Sequence, residues 1–264
     1  MIQTNYKVIS NIKIADDTYK MKLAGDTSAF SKPGQFLNIK LDGFYLRRPI
    51  SICDLGENEL TIIYKVVGDG TRYMTSLEEG LVLDCLVGLG NGYDLDVSGN
   101  RPVLVGGGCG APPLYYLCKK LVAQGKKPII ALGFNSKDEV FLEEEFLQLT
   151  KDTYVYTVDG SYGDKGFPTD VFAKFDGEYD YVYTCGPEPM LKAVYNKSNT
   201  SGQFSFEERM GCGFGACMGC TCKTKYGDKR ICKEGPVLVK EEIIRRLRTS
   251  KSCYTCQWYI WIWL

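Results

Sequence analysis

The chain has no histidine among its 264 residues. That absence excludes histidine general bases, Ser-His-Asp triads, His-ligated haem and Rieske clusters, and it leaves thiolate as the one soft metal ligand in quantity. Net charge is missing too. The 32 Lys and Arg balance the 32 Asp and Glu, so the basic footprint of a nucleic-acid binder is not there. No apolar run of about 20 residues offers a transmembrane segment. Met1 to Ser10 carries Lys7 but no unbroken apolar run, which does not read as a secretory signal. A cytoplasmic protein is therefore expected, and in a reducing compartment the 12 cysteines point to metal binding or catalysis before disulfides. Internal repeats and low-complexity tracts are also lacking.

What is present falls into successive textures. From 1 to 98 short β-type runs (Tyr6 to Ile14, Tyr19 to Leu23, Gln35 to Leu41, Leu60 to Val67, Leu81 to Leu86) are separated by Gly, Asp and Asn, which predicts an antiparallel barrel or sandwich. From 99 to 203 strands alternate with helices, the pattern of a parallel-sheet α/β domain. Val103 to Val105 leads into Gly106-Gly107-Gly108 and a helix over Pro112 to Gln124; Pro128 to Leu132 precedes an acidic helix near Val140 to Leu149. Tyr154 to Val158 and Tyr179 to Tyr183 supply further strands, and Cys185-Gly186-Pro187 opens another helix. The third segment, 204–240, is so rich in Cys and Gly that it needs a cross-link or metal to fold. A tail, 241–264, ends with all three Trp and with a lone Cys253-x2-Cys256, read as non-functional. The Trp-rich end suits docking on a partner, packing on this chain, or an aberrant terminus.

Three motifs carry chemistry. Cys212, Cys217 and Cys220, with Cys232 eleven residues further on, have the C-x4-C-x2-C…C spacing of plant-type [2Fe–2S] ligation. The alternative is a four-thiolate structural zinc, whose knuckles more often pair as two C-x2-C. Cys222 reads as a bystander. The strand-to-turn-to-helix passage through Gly106, Gly107 and Gly108 would let a dinucleotide pyrophosphate reach the backbone, or it is a tight turn with no ligand. Arg48 and Ser51, two strand residues apart, would set a guanidinium on a phosphate and a hydroxyl near a flavin edge. A solvated Arg47-Arg48 pair is the plainer reading. The stretch Gly133 to Glu139 holds one cation and two carboxylates and favours NAD over NADP.

In this order the pieces resemble the ferredoxin-reductase family, and within it the electron-transfer subunits of type B dihydroorotate dehydrogenases. The resemblance rests on Arg48-Pro49-Ile50-Ser51, Ile63-Tyr64-Lys65, Gly70-Thr71, Leu89-Gly90-Asn91-Gly92, Gly106 to Gly108 with Pro112-Pro113-Leu114, Cys185-Gly186-Pro187, and Glu208 to Gly213 through Cys232-Lys233-Glu234-Gly235-Pro236-Val237. It implies an N-terminal FAD-binding β-barrel, an NAD-binding α/β domain and a [2Fe–2S] module. It also implies FAD contacts at Arg48 to Ser51, Ile63 to Lys65 and Gly70-Thr71, dinucleotide contacts at the Gly106 and Cys185 turns, and cluster ligands at Cys212, Cys217, Cys220 and Cys232. The implied role is a relay from a partner catalytic subunit, which oxidises dihydroorotate on FMN, through [2Fe–2S] and FAD to NAD⁺, in a complex with two copies of each subunit. No side chain need act as acid or base in such a relay. An NAD(P)H–ferredoxin or sulfur reductase uses the same parts. The departures are Cys109, where an aliphatic residue is usual, and the unmatched tail.

Overall fold

The computed structural model of the chain describes residues 1–244. The Trp-rich end and the Cys253–Cys256 pair lie outside the described residues. The first six strands are β1 (Ile2–Ala15), β2 (Thr18–Ala24), β3 (Phe36–Ile39), β4 (Arg48–Gly56), β5 (Glu59–Lys65) and, after a short helix α1 (Asp69–Met74), β6 (Val82–Leu89). They close into an antiparallel barrel in the order β1-β2-β5-β4-β3-β6. Alternation explains the closure: Leu60, Ile62 and Tyr64 of β5 and Leu83, Cys85 and Val87 of β6 point into one core, as the two-residue period of a strand requires. The residues between them are not idle. Ile63 of β5, together with Cys53 of β4, turns outward and joins a second core with Leu114, Leu117 and Leu121 of the next domain.

That domain runs β7 (Val103–Gly107), α2 (Ala111–Ala123), β8 (Ile129–Phe134), α3 (Glu143–Leu149), β9 (Thr153–Thr157), β10 (Asp164–Lys165), α4 (Val171–Lys174), β11 (Val182–Cys185), α5 (Glu188–Lys197) and β12 (Gly202–Ser205). The sequence-based helix over Pro112 to Gln124 is α2 displaced by one residue. The cysteine segment supplies a hairpin, β13 (Thr221–Thr224) and β14 (Gly227–Arg230), and then β15 (Val237–Val239). β15 does not stay with the hairpin. It pairs antiparallel with β12 and becomes the edge of the seven-stranded sheet β10-β9-β8-β7-β11-β12-β15.

A third core ties the three segments together. It contains Phe36, Leu86 and Leu89 from the barrel, Val103, Val182 and Phe204 from the sheet, and Cys220, Ile231 and Cys232 from the cysteine segment. Each fully buried apolar side chain contributes about 1.5–3 kcal/mol, so the cysteine segment draws support from its neighbours as well as from any metal.

Candidate functional site

The barrel opens at one end because two strands part. β4 and β5 pair from Gly56↔Glu59 to Ile52↔Ile62 and then stop, whereas Arg48 to Ser51 remain paired with β3 through Ile39↔Arg48 and Phe36↔Ser51. Beyond Ile52 the facing stretches, 48–51 and 63–65, share no ladder, which leaves backbone polar groups for another partner. The Arg48 guanidinium lies 4.9 Å over the Phe44 ring. Gly70 leaves room for it: a Cβ there would stand 2.0 Å from Arg48 Nε and 2.3 Å from Nη2. Thr71 Oγ1 accepts the N–H groups of Val67 at 2.9 Å and Gly68 at 3.2 Å, which fixes the turn. A guanidinium held over a ring and by the Leu46 carbonyl, with no carboxylate partner among the described residues, beside a glycine cradle and a split ladder, fits a flavin with its phosphates.

The two arginines have different roles. Arg47 forms a two-pronged pair with Asp84, at 3.0 Å from each nitrogen, and these bonds hold the Asp84 carboxyl below its usual range. The segment Ile63 to Lys65 differs from a set of ligand-facing side chains. Ile63 is buried against the α/β domain, the Tyr64 hydroxyl donates to Asn11 Oδ1 at 2.9 Å inside the barrel, and Lys65 pairs with Glu139 at 2.9 Å. What this stretch offers a ligand is backbone. The Lys65–Glu139 pair also commits one of the two carboxylates in the Gly133 to Glu139 stretch to bridging the domains.

On the α/β side, the turns after β7 and β11 interlock. A Cβ on Gly107 would meet Met190 Sδ at 2.7 Å and Pro187 Cδ at 3.1 Å, and one on Gly110 would meet the Cys185 carbonyl oxygen at 2.0 Å. Gly106 lies level with Cys185 in the parallel ladder. Gly108 differs from these, with φ +49° and open space where a side chain would be, so a ligand could approach its backbone. The sequence motifs Gly106 to Gly108 and Cys185 to Pro187 are thus one surface. Cys109, Cys185 and Glu207 stand around it. Burial pushes both thiols up to about 12 and raises the Glu207 carboxyl as well. The two cysteines are part-exposed and Glu207 is exposed, so these groups lie at the surface of the turns and not in a sealed core.

Of the five cysteines of the third segment, Cys212, Cys217, Cys220 and Cys232 stand as two pairs. Cys212 Sγ accepts the N–H groups of Ala216 at 3.2 Å and Cys217 at 3.5 Å, while Cys217 Sγ accepts those of Cys212 and Gly219, each at 3.5 Å. Cys220 Sγ accepts the Cys232 N–H at 3.4 Å. Desolvation raises the Cys212 thiol, but N–H donors including those of Cys217, Phe214 and Ala216 outweigh it and bring the thiol down to about 6, toward the thiolate that binds metal. Burial, then Cys220, push the Cys232 thiol up to about 12. Among the described residues no three Cys, Asp or Glu side chains gather around a single ion. Two sulfur pairs fit two irons, one pair to each. Cys222 sits on β13 with its Sγ toward the Lys223 carbonyl, outside both pairs.

Sequence reasoning treated Asn91 only as part of a family-like string. In the structure its side chain is a clamp: Nδ2 donates to the carbonyls of Glu234 at 3.1 Å and Val237 at 2.7 Å, and Oδ1 accepts the Val237 N–H at 3.1 Å. The segment after Cys232 is thereby held on the turn that follows the barrel's last strand. The two matching strings that the clamp joins are far apart in sequence, and their co-occurrence was the one available signal.

The comparisons agree with this geometry. Residues 207–244 match the iron–sulfur cluster binding domain of dihydroorotate dehydrogenase B, and residues 104–196 match an oxidoreductase NAD-binding domain. The chain is 49% identical over 250 residues to the dihydroorotate dehydrogenase B (NAD(+)) electron transfer subunit of Fusobacterium nucleatum subsp. nucleatum, covering 89% of this chain and 96% of that protein. It belongs to the family of dihydroorotate dehydrogenase B electron-transfer subunits. The family's subunit from Bacillus pumilus is 46% identical over 248 residues, with coverage of 89% and 96%. Among solved structures, one of the NADH-dependent reduced ferredoxin–NADP oxidoreductase superposes with a TM-score of 0.82 at 29% identity, covering 90% of this chain and 89% of that one. Family membership fits the split barrel, the interlocked turns and the paired sulfurs as parts of an oxidoreductase. Among the described residues no helix is long and apolar enough to cross a membrane.

Proposed function

We propose that this chain carries electrons between a dihydroorotate-oxidising flavoprotein and NAD⁺, with FAD at the split end of the barrel and [2Fe–2S] in the sulfur loop. The observation that carries the reading is that the two sulfur pairs, the open β4–β5 end and the interlocked glycine turns belong to one packed body, the sulfur-bearing residues Cys220 and Cys232 sharing a core with Phe36 of the barrel and Val182 of the sheet. When bound, a cluster passes single electrons, nicotinamide takes a hydride, and a flavin converts one into the other.

The protein's own groups position and exclude. Arg48 supplies charge to the flavin phosphates, with Gly70 giving it space. The Arg48 to Ser51 strand, held by β3, offers the Ser51 hydroxyl and backbone groups, and Ile63 to Lys65 offers backbone opposite. Gly108 admits the dinucleotide to the start of α2, beside Cys185 to Pro187. Backbone N–H groups stabilise negative charge on Cys212, Cys217 and Cys220. Phe214 and Met218, 40% and 54% exposed on the sulfur loop, give that loop an apolar rim suited to a protein partner. The assembly is read as two copies of each subunit, the partner carrying FMN, in the cytoplasm.

The test is purification with the co-expressed partner, a visible spectrum and dihydroorotate-dependent NAD⁺ reduction. Flavin and cluster absorption with that activity is the expected result. The same absorption without it moves the assignment to an NAD(P)H–ferredoxin or sulfur reductase, which the similarity to the ferredoxin–NADP oxidoreductase structure would favour. A colourless protein refutes both.

A further inference from the structure

Asn38 joins the barrel to the sulfur loop, and packing does not account for it. The residue sits on β3 with 1% of its surface exposed. It is level with Pro49 of β4 on one side and Leu86 of β6 on the other, so its neighbour is the strand stretch that runs from Arg48 to Ser51. Its Nδ2 lies 3.3 Å from the carbonyl oxygen of Cys212, 174 residues later in the chain. Its Oδ1 is buried and has no hydrogen-bond partner among the described residues.

The orientation of the amide follows from chemistry. The Cys212 carbonyl only accepts, so the nitrogen must face it; a flipped amide would oppose two oxygens and orphan the nitrogen as well. The loop is shaped to the amide in turn. Gly213 has φ +78°, and a Cβ on it would stand 2.3 Å from Asn38 Nδ2, so the backbone comes this close only as glycine. An apolar side chain would fill the same place without burying an unpaired oxygen. Violations of this kind mark places where function sets the residue.

We infer that Asn38 is a positioning residue that fixes the Cys212 end of the sulfur loop against the strand bearing Arg48 to Ser51, and so sets the separation and orientation of the cluster and flavin sites. This rests on the reading under Proposed function. Any donor that Oδ1 gains comes from cofactor or solvent, because the described protein supplies none.

The experiment uses the co-expressed complex with Asn38→Asp, which keeps the shape and loses the donor, and Asn38→Leu, which removes the unpaired oxygen. Iron and flavin content, NADH reduction of the flavin and of the cluster followed separately by stopped flow, and the EPR spectrum of the reduced cluster are measured. The expected result is full iron and flavin, unchanged flavin reduction, a shifted EPR signal, and cluster reduction slowed by about tenfold or more, since small misplacements of reacting groups carry costs of this order. Native cluster reduction and an unshifted EPR signal in either iron-replete variant overturn the inference. Loss of iron from both variants with flavin retained also overturns it, in favour of a purely structural role. A native complex lacking flavin or iron would instead sink the functional reading itself, so the two failures are distinct.

Discussion

Gly70→Ala separates the stability of the barrel from its capacity to hold a flavin. A Cβ at this position would lie 2.0 Å from Arg48 Nε, 2.3 Å from Nη2 and 2.4 Å from Cζ. These atoms are the mobile end of a long side chain, so the guanidinium moves aside and the backbone does not. Two effects on folding then oppose each other. Alanine inside α1 gains about 0.5–1 kcal/mol over glycine, and the displaced guanidinium gives up its place over Phe44, an exposed cation–π contact of about 0.5–1 kcal/mol, while water replaces its exposed bond to the Leu46 carbonyl. They nearly cancel, so the thermal midpoint of the flavin-free protein should stay where it is. FAD binding has no such offset. A charge-assisted contact contributes about 1.5–3 kcal/mol, so its loss weakens FAD affinity by roughly 10- to 150-fold. The assay is fluorescence titration of deflavinated protein with FAD, beside thermal unfolding of the same samples. Gly68→Ala is the control, because Gly68 is extended at φ −178° and nothing stands within 4 Å of its Cβ position. Native FAD affinity in Gly70→Ala, or equal losses in both variants, would refute the reasoning.

Cys217→Ser should abolish the cluster absorption and the bound iron while leaving FAD in place, whereas Cys222→Ser should keep both; iron loss only in the second would reassign the ligands. Gly110→Ala drives a methyl to within 2.0 Å of the Cys185 backbone oxygen and should lower stability by about 1–3 kcal/mol. Gly108→Ala meets open space and carries only the left-handed backbone cost of about 1–2 kcal/mol, but it should raise the KM for NADH, and urea titration with steady-state kinetics checks both. The Arg230 pair beside Cys232 gives a pH dependence: hydrogen bonds from Arg230 are the largest cause that takes the Glu234 carboxyl from 4.5 down to about 2. A lowered folded value means that the stabilisation is fully present above about 4.5 and is lost as pH falls through about 2. The Arg230→Ala/Glu234→Ala cycle should therefore show coupling in thermal midpoints at neutral pH that fades in that acid window; coupling that grows with acid would contradict the sign.

The legible parts of this chain were those whose cause is local. The β-type run from Leu60, bounded by turn residues, is β5; Pro112 and Pro113 at the start of an apolar stripe produced α2 within one residue. The cysteine spacing is local in the same way, since one loop joins Cys212, Cys217 and Cys220 and sets how their sulfurs are spaced, and the ligand set drawn from it is part of the proposal. What stayed hidden depends on contacts across the chain. Most of β4 beyond Ser51 was not read as a strand, because Pro49 and Asp54 interrupt its apolar pattern and its pairing with β3 and β5 is what makes it one. α1 has six residues, two-turn periodicity cannot show in so few, and its form depends on the Thr71 hydroxyl that closes its first turn. β15 looked like the end of the cysteine segment and is an edge strand of the large sheet. The direction of Tyr64, into the barrel, could not be read from a string that offers Ile63 to Lys65 as flavin contacts, nor the commitment of Glu139 to Lys65 from a stretch counted for its charges. The same limit applies to the asparagines. Asn38 and Asn91 reach partners 174 and 146 residues away, and an asparagine in a strand or turn has no local pattern that announces such a partner. On the proposed relay the cofactor ligands are local and the contact proposed to set the separation of the cofactors is not, so variants that tune the relay should cluster at long-range polar contacts rather than in the motifs.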